Sequence, residues 1–496
     1  MMPNFNRLVR CLFIVTWLWI SGAWAVAAPR HVVFILADDL GWGELGCYGQ
    51  QKIKTPHIDQ LAREGMRFTQ HYSGAPVCAP SRCVLLSGKH TGHADIRGNR
   101  QASLSLPQCK EGQHPIEAHT WLLSQSFKES GYATAAMGKW GLGPVGTSGD
   151  PNRHGFDLFY GYNCQAVAHS FYPKFLWRND QQVLLNEIPV PGHDSLVKGE
   201  VKAEKWIGKN YSSLSILREA LQFIDEHQKE KFFLFLPFIE PHMAMHPPLS
   251  SVDQYPKEWD DQPYRGQSGY LPHPRPRAAY AAMISDLDRH VGQVVEKLRQ
   301  AGILDETLIV FTSDNGTTHM AKDPQFGIGG VDAAFFQSTR DLKAFKGSVY
   351  EGGLRVPMIV RYPSAVKAGI ESETPSYFAD WFPTLIEACS LKPRDGLDGD
   401  SLWPVMTGQA TVENRKPMIW AYPEYTGQVA VRMGNHKVLR RGLHTKKPGD
   451  WEVYDVTKDR GETKNLAQEK PDLIREAEKI LIKEISDNPV FPLRFP

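Results

Sequence analysis

HVVFILADD, residues 31–39, sets six apolar side chains in a row, Val32 to Ala37, and then stops on two aspartates. The run is too short for a helix and too uniformly apolar for a strand with one wet face. It reads as a strand buried on both sides, the kind found in parallel sheets. TPHIDQLAREG (55–65) follows, with Ile58, Leu61 and Ala62 on one helical face and Gly65 as a stop. YATAAMGKW (132–140), KFFLFLPFIEPH (231–242) and ETLIVFTSDNG (306–316) repeat the strand pattern. Before the last of them, Ile284, Leu287, Val291, Val294 and Leu298 recur at helical steps. Strands alternating with helices predict an α/β fold: a large, mostly parallel sheet sandwiched by helices.

Four of these runs end in polar groups: Asp38 and Asp39, Lys139, His242, then Asp314 and Asn315. Singly, an Asp or Asn after a strand is often a helix cap. Together they predict one crevice, because ligands of open α/β sheets bind beyond the carboxyl ends of the strands. Asp38, Asp39, Asp314 and Asn315 offer only oxygen donors, which select Ca²⁺ or Mg²⁺ over zinc. Arg82, Lys139 and Lys346 fall near predicted turns. Converging on a divalent metal, they would make a pocket for a tetrahedral anion and stabilise charge developing on its oxygens. Lys89, just after Ser-Gly, reads as structural or solvated.

The chain has 496 residues, 42% hydrophobic and 22% charged, with a formal net charge of +1. That supports a sizeable core and argues against a protein held to nucleic acid by its overall field. At the N-terminus Arg7 and Arg10 precede the apolar run Cys11 to Ile20, and small residues follow at Ala23 and Ala25. This predicts a signal peptide over 1–25, cleaved after Ala25 or Ala28, and export to the periplasm or extracellular space. The run is shorter than the ~20 residues of a spanning helix, so no membrane span is expected. The seven cysteines have no metal-finger spacing. The strand–helix pattern assigns 26–405 to one catalytic domain. The remainder, 406–496, reads as a small antiparallel α+β unit: a hairpin over Gln428–Arg441 turning at Gly434–Asn435, a strand at 450–456 and a closing helix over 471–485.

CAPSRCVLLSGKHTG (78–92) is similar to the Cys-x-Pro-Ser-Arg hallmark of the sulfatases of the alkaline phosphatase superfamily. The likeness runs over nearly the whole mature chain. VVFILADDLGWGELGCYG resembles the family's first metal motif, MGKWGLG its catalytic-lysine motif, LPFIEPH its substrate-histidine strand and FTSDNG its second metal motif. FKGSVYEGGLRVP resembles the second lysine motif, and WEVYDVTKDRGETKNLA the small C-terminal domain. The resemblance implies that a maturation enzyme converts Cys78 to formylglycine, whose hydrate is the nucleophile, with Pro80 and Arg82 in the recognition sequence. It implies that Asp38, Asp39, Asp314 and Asn315 hold Ca²⁺, or Mg²⁺, with residue 78 completing the shell. Lys139 and Lys346 would grip the sulfate, Arg82 would stabilise charge on the diol, and His242 would protonate the departing oxygen.

One position departs from the family. Its lysine motif often reads Gly-Lys-Trp-His-Leu-Gly, with the histidine serving the step that releases sulfate; here that position is Gly141. The missing base could be a histidine from elsewhere, a water, or the metal-lowered acidity of the diol itself; His169 is one candidate, with a substrate-binding role at least as open for it, and His246 and His319 are weaker ones. Arg97 and Asn99, in HADIRGNR, are further candidate substrate contacts, and the aromatic loop HSFYPKFLWRND (169–180) suits a sulfated carbohydrate. The expected activity is hydrolysis of sulfate esters on such a carbohydrate or an aryl sulfate. The alternatives are a phosphonate monoester or phosphodiester hydrolase, or a catalytically silent carbohydrate-binding relative.

Overall fold

In the computed structural model residues 28–100, 111–318, 327–409 and 415–495 are described. The leader read over 1–25 and His319 lie outside them. The described strands, in chain order, are β1 (His31–Ala37), β2 (Met66–Phe68), β3 (His71–Tyr72), β4 (Ala133–Lys139), β5 (Leu158–Tyr162), β6 (Phe175–Arg178), β7 (Gln181–Leu184), β8 (Phe232–Pro237), β9 (Thr307–Ser313), β10 (Met358–Arg361), β11 (Ile370–Ser372), β12 (Ser376–Tyr377), β13 (Met418–Tyr422), β14 (Gln428–Met433), β15 (His436–Arg441) and β16 (Glu452–Asp455).

Ten of them form one sheet, in the order β11-β2-β10-β9-β1-β8-β4-β5-β6-β7. The four strands expected from the sequence are its consecutive centre, β9-β1-β8-β4, and all four run parallel. β5 continues the parallel set, whereas β10 pairs antiparallel with β9, and β6 antiparallel with β5. The apolar runs lack alternation because both faces are covered. Along β1, Val32, Phe34 and Leu36 enter one core, and Val33, Ile35 and Ala37 the other. The first core is closed by helix α2 (Cys78–Ser87) through Val84 and Leu85, and by α3 (Leu123–Glu129) through Leu123 and Phe127. The second lies under α1 (Pro56–Glu64), α4 (Ser212–His227) and the long helix Pro276–Gln300. That long helix buries Ile284, Leu287, Val291, Val294 and Leu298, the stripe read from the sequence. Among the described residues, no helix is long and apolar enough to cross a membrane.

A separate four-stranded antiparallel sheet, β13-β14-β15-β16, follows. Its β14–β15 hairpin pairs Met433 with His436, so the chain turns at Gly434–Asn435. One face packs Val429, Val431, Val438 and Val453 under Ala477 and Leu481 of the helix Pro471–Glu484. The other face sends Trp420, Tyr422, Leu439 and Tyr454 into the core of the large sheet.

A buried ion cluster fastens the two sheets. Lys437 on β15 has no solvent exposure and lies 2.7 Å from Glu351 and 2.8 Å from Glu462. Glu351 also accepts a hydrogen bond from Tyr72 Oη at 2.7 Å and faces Arg355 at 3.3 Å. Removing one partner of such a cluster leaves an uncompensated buried charge, which costs about 3–5 kcal/mol. Lys437→Ala is therefore expected to lower unfolding free energy by about that amount in urea titration. Arg475→Ala, which breaks an exposed pair with Asp472, should change it by less than about 1 kcal/mol. Equal losses in the two variants would refute the role given to the buried cluster.

Candidate active site

The register of the central strands levels their carboxyl ends. Leu36 pairs with Pro237 and Thr312, and Ala37 with Ser313, so Asp38 and Asp314 emerge side by side. The ladder continues past the strands: Asp38 N–H donates to Glu240 O and Asp314 N–H to Ala37 O, both at 3.0 Å. Asp39 then takes a left-handed backbone conformation, φ 66°. Such strain in a non-glycine residue persists where the surroundings enforce it and is common at functional sites.

Helix α2 starts at Cys78, and Asn99 Oδ1 accepts the Ala79 N–H at 2.9 Å, satisfying a donor of its first turn. Cys78 Sγ lies 3.4 Å from Asp38 Oδ1, 3.3 Å from Lys346 Nζ and 3.7 Å from Lys139 Nζ. Lys139 Nζ donates to Asp38 Oδ2 at 2.5 Å, and Lys346 Nζ to both oxygens of Asp39 at 2.6 and 2.8 Å. Arg82, one turn into α2, reaches Asp314 Oδ2 through Nε at 3.0 Å and Nη2 at 2.8 Å. Its Nη1 donates to the Lys139 carbonyl. The arginine thus braces the lysine strand against the second carboxylate pair. His242 Nε2 stands 3.7 Å from Asp39 Oδ2, while its Nδ1 sits 2.6 Å from Met243 O. A carbonyl only accepts, so Nδ1 carries the proton and Nε2 is turned toward the carboxylates.

Three carboxylates and three fixed cations therefore share one buried volume. Burial raises the Asp38 carboxyl, but Lys139, His242, Arg82 and Lys346 outweigh it and hold the group well below the carboxylate range. Burial and then Asp38 push Asp314 up to about 6, against the opposing pull of Arg82. Burial, followed by Lys139 and Lys346, lowers His242 and keeps it neutral. Burial and the Asp38 charge push the Cys78 thiol up, so an unconverted cysteine here stays protonated and is a poor nucleophile.

Ligand atoms of Asp38, Asp39, Cys78 and His242 all lie within 4.8 Å of one another. Asp314 Oδ1 accepts the Asp39 N–H at 3.2 Å, and Asn315 Nδ2 donates to Asp39 Oδ1 at 2.8 Å. That leaves Asn315 Oδ1 buried without a hydrogen-bond partner. An orphaned amide oxygen among three carboxylates fits a hard divalent cation.

Several of the residues singled out in the sequence lie away from the cluster. Arg97 does not face the cluster: it is buried and donates to Ala94 O at 2.9 Å, Ser486 O at 2.7 Å and Ser486 Oγ at 2.8 Å, pinning its loop to the C-terminal tail. Asn99 backs the start of α2, with its own N–H on Glu424 at 2.9 Å. Of the aromatic stretch, Phe171 and Tyr172 pack inward, each 2% exposed, while Phe175 and Trp177 are half-buried on β6. His246 stacks near Trp206 and His273, away from the cluster. Lys89 is structural, donating to the Gly396 carbonyl.

His169 does reach the site, with its ring stacked on His242 at 4.7 Å and 14°. Three residues near it carried no local sequence signal. His193 lies 2.8 Å from His169 Nδ1, and Tyr270 contacts the rings of both. Tyr425, half exposed, comes from the small sheet's side, and a Cβ at Gly347 would lie 3.1 Å from its ring. At Gly141, φ is +80° and an added Cβ would fall 1.6 Å from Gln165 Nε2. The glutamine head thus fills the space where a side chain at 141 would begin.

Comparison with known proteins agrees with this arrangement. The sulfatase family model matches residues 30–390, and the model of the N-sulphoglucosamine sulphohydrolase C-terminal region matches 344–487. Human arylsulfatase A is 30% identical over 481 residues, covering 90% of this chain and 85% of that protein. Mouse steryl-sulfatase is 28% identical over 438 residues, covering 77% of this chain and 66% of that one. Among solved structures, Ps i-CgsB in complex with k-i-k-neocarrahexaose superposes with a TM-score of 0.73 at 25% identity, covering 93% of this chain and 94% of that one. With the family model spanning most of its length and the large sheet carrying these groups at its strand ends, the chain belongs to the sulfatase family, whose members are sulfuric ester hydrolases.

Proposed function

We propose that the protein is an exported hydrolase of sulfate esters on a sulfated carbohydrate, acting through formylglycine at position 78 and a Ca²⁺ ion. The observation that carries this is the meeting of Cys78 with Lys139, Lys346 and the carboxylate pair at the sheet's carboxyl edge. In this reading residues 1–25 are the leader, 26–405 the catalytic domain and 406–496 the small domain. The site residues are Cys78, Arg82, Lys139, His242 and Lys346, with Asp38, Asp39, Asp314 and Asn315 as oxygen donors to the metal. When bound, Ca²⁺ supplies positive charge that favours an anionic oxygen, and converted residue 78 supplies a hydroxyl in place of a protonated thiol.

The chain's own groups then divide the work. Lys139 and Lys346 hold the sulfate oxygens and neutralise charge that builds on them. Arg82 holds Asp314 and the Lys139 backbone in register, a positioning task. His242 presents Nε2 to the departing oxygen. Its neutrality comes from burial and the two lysines, and the negative charge of a bound sulfate ester offsets those lysines, favouring the protonated form that can donate. Tyr270 and Tyr425 offer aromatic faces at the mouth, a surface suited to sugar rings.

The following measurements test this. Protein from its native host should yield a peptide around position 78 with the mass of the aldehyde; a purely thiol form would refute the mechanism. Cys78→Ala should lower kcat by at least about 10³-fold. Chelation should abolish activity, with Ca²⁺ restoring it better than Zn²⁺. Asp314→Asn should weaken Ca²⁺ binding, read by calorimetry, by at least about 10–100-fold, the range seen even for residues that only support metal ligands. An aryl sulfate should be hydrolysed with higher kcat/KM than an aryl phosphodiester, and a panel of sulfated oligosaccharides should include a better substrate than either. The reverse order would favour the phosphodiesterase reading.

A further inference from the structure

We propose that His169 is the proton acceptor for the step that releases sulfate, and that His193 is the positioning residue that fixes its tautomer. The proposal rests on residue 78 acting as the formylglycine hydrate.

His193 Nδ1 lies 3.1 Å from Gly269 O. The carbonyl can only accept, so Nδ1 of His193 carries the proton and, in the neutral ring, Nε2 is an acceptor. His169 Nδ1 is 2.8 Å from that Nε2. It must therefore donate, and the neutral His169 ring is left with its lone pair on Nε2. A chain of two hydrogen bonds thus determines which nitrogen of His169 can take a proton.

Backbone contacts hold this chain in place. His193 forms a bridge with Tyr270, and Asp194 N–H donates to Gly269 O at 3.3 Å. At Gly192 an added Cβ would lie 2.6 Å from His169 Cβ, so the segment carrying His193 can approach His169 only with glycine there. The His169 carbonyl accepts the Ala244 N–H at 3.3 Å, tying it to the loop that carries His242. Burial, then the charges of His242, Lys139, His193 and Lys346, hold the His169 ring well below the imidazole range, so in the resting site it is neutral and Nε2 carries no proton.

Two stacked rings therefore each have an anchored Nδ1–H and an available Nε2. Besides the loss of the attacking hydroxyl's own proton, the reaction has two proton events of opposite sense: the departing alcohol gains a proton, and the remaining hydroxyl on residue 78 loses one. His242 serves the first. Position 141 offers no side chain for the second, and the Gln165 amide that fills its space neither takes nor gives a proton at neutral pH. In the second event the hydroxyl proton goes to His169 Nε2, and the O–H electron pair becomes the second bond of the carbonyl at residue 78. The carbon–oxygen bond to sulfate breaks, and its electron pair leaves on the sulfate. The imidazolium then gives its proton to solvent as water adds back to the carbonyl.

The test uses the converted full-length enzyme and an aryl sulfate. His169→Ala should lower kcat about 10²–10⁴-fold with KM nearly unchanged, and free imidazole should restore part of kcat. Intact mass of the enzyme quenched during turnover should show sulfate retained on it. A rise in KM with kcat intact would overturn the proposal in favour of substrate binding, and a fall in kcat with no retained sulfate would overturn it as well. Independently of activity, ¹⁵N NMR of the Cys78→Ala protein should place the neutral His169 proton on Nδ1. His193→Gln, which keeps an acceptor, should preserve that tautomer and most of kcat, whereas His193→Phe should lose both. A proton on His169 Nε2, or indifference to His193→Phe, would sink the idea. If residue 78 proves unconverted in native protein, the proposed reaction fails with it; the NMR result stands apart from that outcome.

Discussion

The rest of the molecule depends on mutual neutralisation in a buried volume. Asp38, Asp39 and Asp314 could not be taken from water alone, and neither could Arg82, Lys139 and Lys346; each unpaired ion would cost several kcal/mol. The contacts of 2.5 to 2.8 Å between Lys139 and Asp38, Lys346 and Asp39, and Arg82 and Asp314 let all six be buried together. They come from segments far apart in sequence, so the cluster forms only once the central strands stand in register and α2 is seated. Site assembly and folding of the large sheet are in that sense one event. The Lys437 cluster extends the same logic outward: Glu351 follows the Lys346 loop by five residues, so the small sheet holds that lysine's loop in place.

Much of this was legible in the chain, for a definite reason. A strand buried on both faces has no choice of side, so HVVFILADD, KFFLFLPFIEPH and ETLIVFTSDNG announce themselves. The polar residues that close such runs lie near the sheet's carboxyl edge, and this placed Asp38, Lys139, His242 and Asp314 together. The antiparallel pairing of β10 could not be read, because four residues carry no direction. Arg97 was misplaced because its partner, Ser486, lies hundreds of residues away. The aromatic loop read as surface because composition does not distinguish a ring facing solvent from one turned inward; Phe171 and Tyr172 turn inward. His193 and Tyr425 left no local mark, since their relevance comes entirely from which loops the fold brings to the crevice.

The charge balance also bears on what the pocket attracts. Three carboxylates and three cations cancel, so a divalent cation in the oxygen-donor set would leave the pocket with net positive charge. Both lysines lie close to residue 78, at 3.7 and 3.3 Å from its side chain. A compact anion bound between them meets positive charge from more than one direction, and a neutral ester gains nothing comparable. This supports anion selection by the strand ends themselves, independent of whatever carries the anion.

Specificity for the carrier must then arise elsewhere, and the geometry suggests where. Reactive groups sit on strand termini and α2, which have little freedom to vary without breaking the buried cluster. His193 and Tyr270 sit on loops paired through a single bridge, and Tyr425 belongs to the turn before β14. Loops of this kind can change length and sequence while the scaffold stays fixed. Family membership therefore carries the reaction more securely than the identity of the carrier. Because Tyr425 is presented from the second sheet while His193 and Tyr270 are presented from the first, the mouth is a seam between two packed units. The Lys437 cluster and the face of Trp420, Tyr422, Leu439 and Tyr454 both join those units, so the contacts that stabilise the fold also bear on the spacing across this seam.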